Sequence, residues 1–246
     1  MAEWLDPQKS QAQATIGAAG YSTNAVAFDA GLRAHMLKVY NYMASGVLLT
    51  GIVAMLFAQS GMAADVMSGG ALRWLIILSP LGVVMAMSFG QNRMSTTTLQ
   101  SLFWAFTVLM GLSLSTIFLV YTGASIAQTF FATAAAFAGL SLWGCTTKKD
   151  LSGMGTFLIM GLVGLIVASL VNMFLQSSTM GWVISSLGVL IFAGLTAYDT
   201  QKIKSMYQYV AGTEMAGKAA IMGALTLYLD FINMFQFLLS FLGNRN

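Results

Sequence analysis

The sequence predicts an all-α membrane protein with seven transmembrane helices, and three observations carry that prediction. First, 57% of its 246 residues are hydrophobic and only 8% are charged, where a soluble domain carries about a quarter charged residues. Second, the apolar residues gather into seven runs separated by short polar breaks. Third, two carboxylates, Asp199 and Asp230, stand inside runs otherwise written for hydrocarbon. A carboxylate in a bilayer is costly unless it is paired, protonated or facing water, so it marks a candidate functional site. The net charge of +3 is small and the basic residues lie scattered between the runs. That pattern reads as topology signals and argues against nucleic acid as a partner. The single cysteine, Cys145, has no internal disulfide partner, and with the single histidine, His35, it supplies no zinc site of the usual kind. No resident cofactor is expected.

In chain order, residues 1–32 are polar and rich in Ala, Gly, Ser, Thr and Gln. They read as a flexible cytoplasmic tail, helical near Asp29 to Lys38, with His35 solvated or interfacial. Residues 33–246 form the membrane domain. Its runs are Met43–Ala58, Trp74–Phe89, Leu102–Tyr121, Ile126–Cys145, Met154–Leu175, Met180–Tyr198 and Ala219–Leu242. With a few flanking residues each approaches the roughly 20 residues that a spanning helix needs. The third and fourth runs are split by Thr122-Gly123, and the fifth and sixth by Gln176-Ser177-Ser178. Both breaks predict helical hairpins with very short turns. Pro80 predicts a kink in the second span. Glycines at 139, 144, 161, 164, 188 and 194 predict close helix packing. With the tail inside, Lys9, Arg33, Lys38, Arg93, Lys148, Lys149, Lys202, Lys204 and Lys218 fall on the cytoplasmic side. Only Arg73 and Arg245 fall outside. This asymmetry predicts a cytoplasmic N-terminus and an external C-terminus. A six-span alternative leaves one apolar run unplaced.

On the seventh run Thr226, Asp230, Asn233 and Phe237 follow a 4-3-4 spacing and share one helical face. Such a polar stripe must meet other helices or water. Counting along the runs places Asp230 roughly 16 Å into the membrane and Asp199 roughly 25 Å from the outer surface. The two acids then meet only if helix tilt, or a dip of the 205–218 connector, brings them level. If they meet, they titrate as a coupled pair that shares one proton over an intermediate pH range. Arg93, after the second run, lies at the depth of Asp199 and has the reach to latch it. The bland reading of Arg93 is a solvated topology charge.

The run GLTAYDTQKIKSMY, followed some thirty residues later by ALTLYLDFINMF, resembles the transmembrane Bax inhibitor motif (Bax inhibitor-1) family. The leader GLRAHMLKVYNYMASGVLLTG resembles its bacterial members. The resemblance covers most of residues 28–243. It implies six helices packed around a central seventh, and a place in the bacterial inner membrane. It also implies a pH-sensing aspartate pair and a calcium leak. Asp199 and Asp230 match the two aspartates of the motif, and Arg93 matches the basic latch position. Calcium wants six to eight oxygens. The two carboxylates, with Asn233, Thr226 and water, would offer only a weak, transient metal site. The resemblance also allows a regulatory protein that binds a membrane AAA protease, with the tail as a handle. Intramembrane aspartyl proteases share Tyr198-Asp199, but their GxGD is replaced by Tyr228-Leu229-Asp230 and prolines occur only at 7 and 80. The expected reading is therefore not an enzyme. A structural role alone for both acids is the remaining alternative.

Overall fold

The apolar runs become helices because no backbone polar group can be left unpaired in hydrocarbon. The computed structural model describes residues 7–245, with the side chains of residues 7–27 and 67 outside that description. Nine helices follow in order among the described residues: α1 Pro7–Gln59, α2 Met62–Met67, α3 Ala71–Gly90, α4 Thr96–Leu114, α5 Thr116–Val120, α6 Gly123–Thr146, α7 Ser152–Leu175, α8 Ser178–Val210 and α9 Met215–Leu242. Seven segments are long and apolar enough to cross a membrane, α4 and α5 together making the third. The protein is an all-α, multi-pass membrane protein. The expected tail, residues 1–32, falls mostly on residues outside the described side chains, or on residues 1–6, outside the description altogether.

Local chemistry sets the span boundaries. Three spans begin at a hydroxyl N-cap: Ser95 accepts from Thr98 N at 3.1 Å, Thr122 from Ser125 N at 3.3 Å, and Ser177 from Met180 N at 3.3 Å. Each satisfies an orphan amide of a first helical turn. The two breaks read as hairpin turns are thus a cap at Thr122 and a cap at Ser177. Gln176, at φ 50°, closes α7 in the left-handed conformation just before the second of these. α8 runs past the expected end at Tyr198 to Val210. The extension carries Gln201, Lys202 and Lys204, and it turns the first part of the expected 205–218 connector into helix.

The last span is the most buried, with half of its apolar window inside the bundle, against 11% for α3 and for α7. Its main neighbours are α8, α1, α6 and α4, whereas α3 leans chiefly on α4 and α7 on α8. Tyr228 of α9 is fully buried and donates to the Thr50 hydroxyl at 2.6 Å, which itself donates to the Thr107 carbonyl at 2.8 Å. This relay ties the first, third and seventh spans. Tyr228→Phe removes one link and should cost about 1 kcal/mol, read as a lowered melting temperature in detergent. His35, expected in solvent or at the interface, is buried at 7% exposure with its ring 5.0 Å from that of Tyr207. The extension of α8 supplies that ring, and so covers the histidine.

Not every expected packing glycine packs. Gly144 faces the backbone of Ala197 with no side chain between the two helices, whereas Gly139 and Gly164 face open space.

Candidate functional site

Asp199 and Asp230 come from the two arms of one helical hairpin. Asp199 lies 11 residues before the end of α8 and Asp230 lies 15 residues after the start of α9. The difference is about one turn, or roughly 6 Å, which tilt and side-chain length absorb. The structure brings the two carboxyl groups against each other on one wall of the bundle interior. Asp199 is 9% exposed and Asp230 only 4%. An ionised carboxylate only accepts hydrogen bonds, so the two acids can bond to each other directly only when one of them carries a proton. Asp230 Oδ2 is buried and accepts from no donor group among the described residues.

The pair stands in the wall of a cavity of about 700 Å³ between α7, α8 and α9. Thr226, Asp230, Asn233 and Phe237 all line it, so the 4-3-4 stripe faces this space. The Thr226 hydroxyl donates to the Met222 carbonyl at 3.1 Å, and the Asn233 amide donates to the Leu229 carbonyl at 2.8 Å. The Thr226 hydroxyl donor and one of the two Asn233 N–H donors are thereby satisfied within α9, and the two side-chain oxygens stay available as acceptors. Two carboxyls, one amide oxygen and one hydroxyl supply at most six oxygens, the lower limit of a calcium shell, and only with both carboxyls bidentate. Among the described residues no three of His, Cys, Asp and Glu gather into a metal-holding group.

Arg93 is exposed in the turn between α3 and α4. It forms no ion pair with either aspartate among the described residues. The next turn of chain, at Thr96, abuts Gly217 at the start of α9, so Arg93 belongs to the same end of the bundle as Lys202. The cation whose charge acts on Asp199 is Lys202. The sequence reading counted Lys202 only as a topology charge, although its spacing of three residues from Asp199 was a usable signal. Also unforeseen is a hydroxyl chain beside the pair. Tyr40 OH and Ser141 Oγ lie 2.6 Å apart, and Ser141 Oγ and Thr200 Oγ1 lie 2.9 Å apart. It joins the first, fourth and sixth spans next to Asp199. One residue type on each of three helices leaves no periodic trace, so sequence had no signal for it.

The family model described as "Inhibitor of apoptosis-promoting Bax1" matches residues 32–246. A protein of Rickettsia prowazekii is 50% identical over 219 residues, covering 89% of this chain and 92% of its own. A protein of Caulobacter vibrioides is 46% identical over 229 residues, covering 88% and 91%. The inner membrane protein YbhL of Escherichia coli is 45% identical over 219 residues, covering 88% and 94%. Both acids, the stripe and Arg93 fall inside the matched region. The chain therefore belongs to the Bax inhibitor-1 family, the family that its AYDTQ and LYLDFIN segments resemble.

Proposed function

We propose that the protein is a pH-sensitive calcium leak of a bacterial inner membrane, gated by Asp199 and Asp230. The single observation that carries this reading is the meeting of the two carboxyls on the wall of the intramembrane cavity. The name of the Escherichia coli relative supports the inner membrane as its place. While one proton is shared, the sixth and seventh spans are held together at this level and the path is closed. Removing that proton leaves two like charges in contact in a poorly solvated site. At 4 Å and an effective dielectric of about 20 their repulsion is about 4 kcal/mol. That is enough to bias a two-state helix arrangement whose gap is a few kcal/mol. Arg93 then acts as the latch, receiving Asp199 once the acids separate.

The reading is tested with the purified protein in calcium-indicator liposomes across pH 5 to 8. Calcium entry should rise with pH for the natural sequence. Asp199→Asn and Asp230→Asn each keep a hydrogen-bonding side chain that cannot ionise, so each should flatten that rise to less than about two-fold. Unchanged pH dependence in both variants would sink the gate, and absence of protein-dependent calcium entry would sink the leak itself.

A further inference from the structure

At the end of the bundle where α6 leads into α7, residues 147–151 fold against α8. Gln201 fixes this loop in place: its Nε2 donates to the Lys149 carbonyl at 2.8 Å, and its Oε1 accepts from Leu151 N at 2.9 Å. Lys204 donates to the Cys145 carbonyl at 2.7 Å and closes the C-terminus of α6. Between loop and helix lies a second, polar cavity of about 350 Å³, lined by Lys148, Lys149, Asp150 and Lys202 with Tyr198 as a wall. Gly155 of α7 makes this wall, because a side chain there would collide with the Tyr198 ring. The Lys202 ammonium sits 5.8 Å from the centre of that ring.

The charge in this pocket is unbalanced. The Asp150 carboxylate is turned to the start of α7, accepting from Ser152 N at 2.9 Å. Hydrogen bonds from Ser152, side chain first and then backbone, hold its carboxyl below the usual carboxylate range. Lys148 and Lys149 form no ion pair among the described residues, and both are exposed. Three ammonium groups on a backbone fixed by Gln201 thus face one carboxylate that is already engaged.

The pocket also lies at a particular level. It opens where α6 ends and α7 begins, the boundary of two apolar spans. On the flanks just inside that boundary Leu142 and Trp143 of α6 and Phe157 of α7 are exposed. Exposed tryptophan beside lysine at a span end is the signature of the headgroup layer. Basic pockets between spans at this level suit phosphate-bearing lipids.

We propose that this pocket holds the headgroup phosphate of an anionic phospholipid, bound by Lys148, Lys149 and Lys202. The lysines act as point charges on the phosphate oxygens, and the exposed flank of Trp143 receives the glycerol and upper acyl region.

The test uses the full chain in mild detergent, with equal amounts of phosphatidylglycerol and phosphatidylethanolamine added, and native mass spectrometry of retained lipid. The natural sequence should retain phosphatidylglycerol over phosphatidylethanolamine by about ten-fold or more. The triple variant K148Q, K149Q, K202Q should fall to parity, and K148R, K149R, K202R should keep the preference. Arg73→Gln, a basic residue beside Trp74 outside this pocket, should change nothing. If the triple variant gives no monodisperse protein, Lys149→Gln alone should lower the preference by about three-fold. Parity in the natural sequence overturns the proposal, as does a preference that survives the glutamine variants. Equal loss in Arg73→Gln makes the effect general charge and overturns it too. Displacement of the lipid by millimolar inorganic phosphate assigns the pocket to a soluble anion, and displacement by a short polyglutamate peptide assigns it to a protein partner; either result overturns the lipid assignment. Because retention is read without ion flux, failure here leaves the aspartate gate untouched, and the reverse holds.

Discussion

Gly144→Leu should prevent recovery of folded, monodisperse protein, or lower its melting temperature in detergent by more than about 10 °C. At Gly144 the fourth and sixth spans cross with backbone against backbone, and a side chain there meets the Ala197 carbonyl and its Cα. Backbone cannot rotate aside as a side chain can, so the helices must part. Parting them stretches the Tyr40–Ser141–Thr200 chain at the same crossing. Overpacking of this kind costs about 1–3 kcal/mol or more for a small addition, a large share of the roughly 5–15 kcal/mol that holds a domain folded. Gly144→Ala should be intermediate. Gly139→Leu supplies the contrast, since nothing lies within 4 Å of that position on the same helix, and it should stay within about 0.5 kcal/mol of the natural protein. Equal melting temperatures for the two leucine variants would show that the crossing is looser than described.

Ser169→Trp should reduce calcium entry into liposomes by more than about ten-fold with little change in melting temperature. Ser169 lines the large cavity from α7, opposite the aspartate pair, and its hydroxyl only bonds back to the Leu165 carbonyl at 2.8 Å. An indole at this position occupies space that the ion needs, while leaving both carboxyls and the α8–α9 hairpin as they are. Val167→Trp, on the 55% exposed lipid side of the same helix, should leave entry unchanged. If both variants conduct like the natural sequence, the cavity is not the route, even where the aspartates still set the pH response. The two tryptophan variants therefore separate the path from its gate.

The seven spans were legible because each apolar run is long enough to cross hydrocarbon and each hairpin break carries its own capping hydroxyl. The polar stripe of the last span was legible too, since a 4-3-4 spacing fixes a helical face whatever the surroundings. Depth was harder. Counting from Trp182 and Ala219 set the two acids apart, whereas the helices begin at Ser178 and Met215 and α8 continues to Val210. Measured from the hairpin they share, the acids differ by about a turn. The cavity wall in α7 had no sequence signal, because that helix is apolar on every side and nothing distinguishes its inner face from its lipid face. Lys202 was hidden differently: its spacing from Asp199 was plain, but a lysine just past an apolar run reads first as a topology charge. The burial of His35 under Tyr207 lay beyond reach because residues 205–218 read as a connector.

The fifth span has one main neighbour, the sixth. A panel hung on a single partner can swing while the frame around it stays shut, because its displacement breaks few contacts elsewhere. The cavity of about 700 Å³ that holds the aspartate pair lies directly behind that panel. Any lumen built on it runs along the flank of the bundle, and its doorway faces lipid tails as well as water.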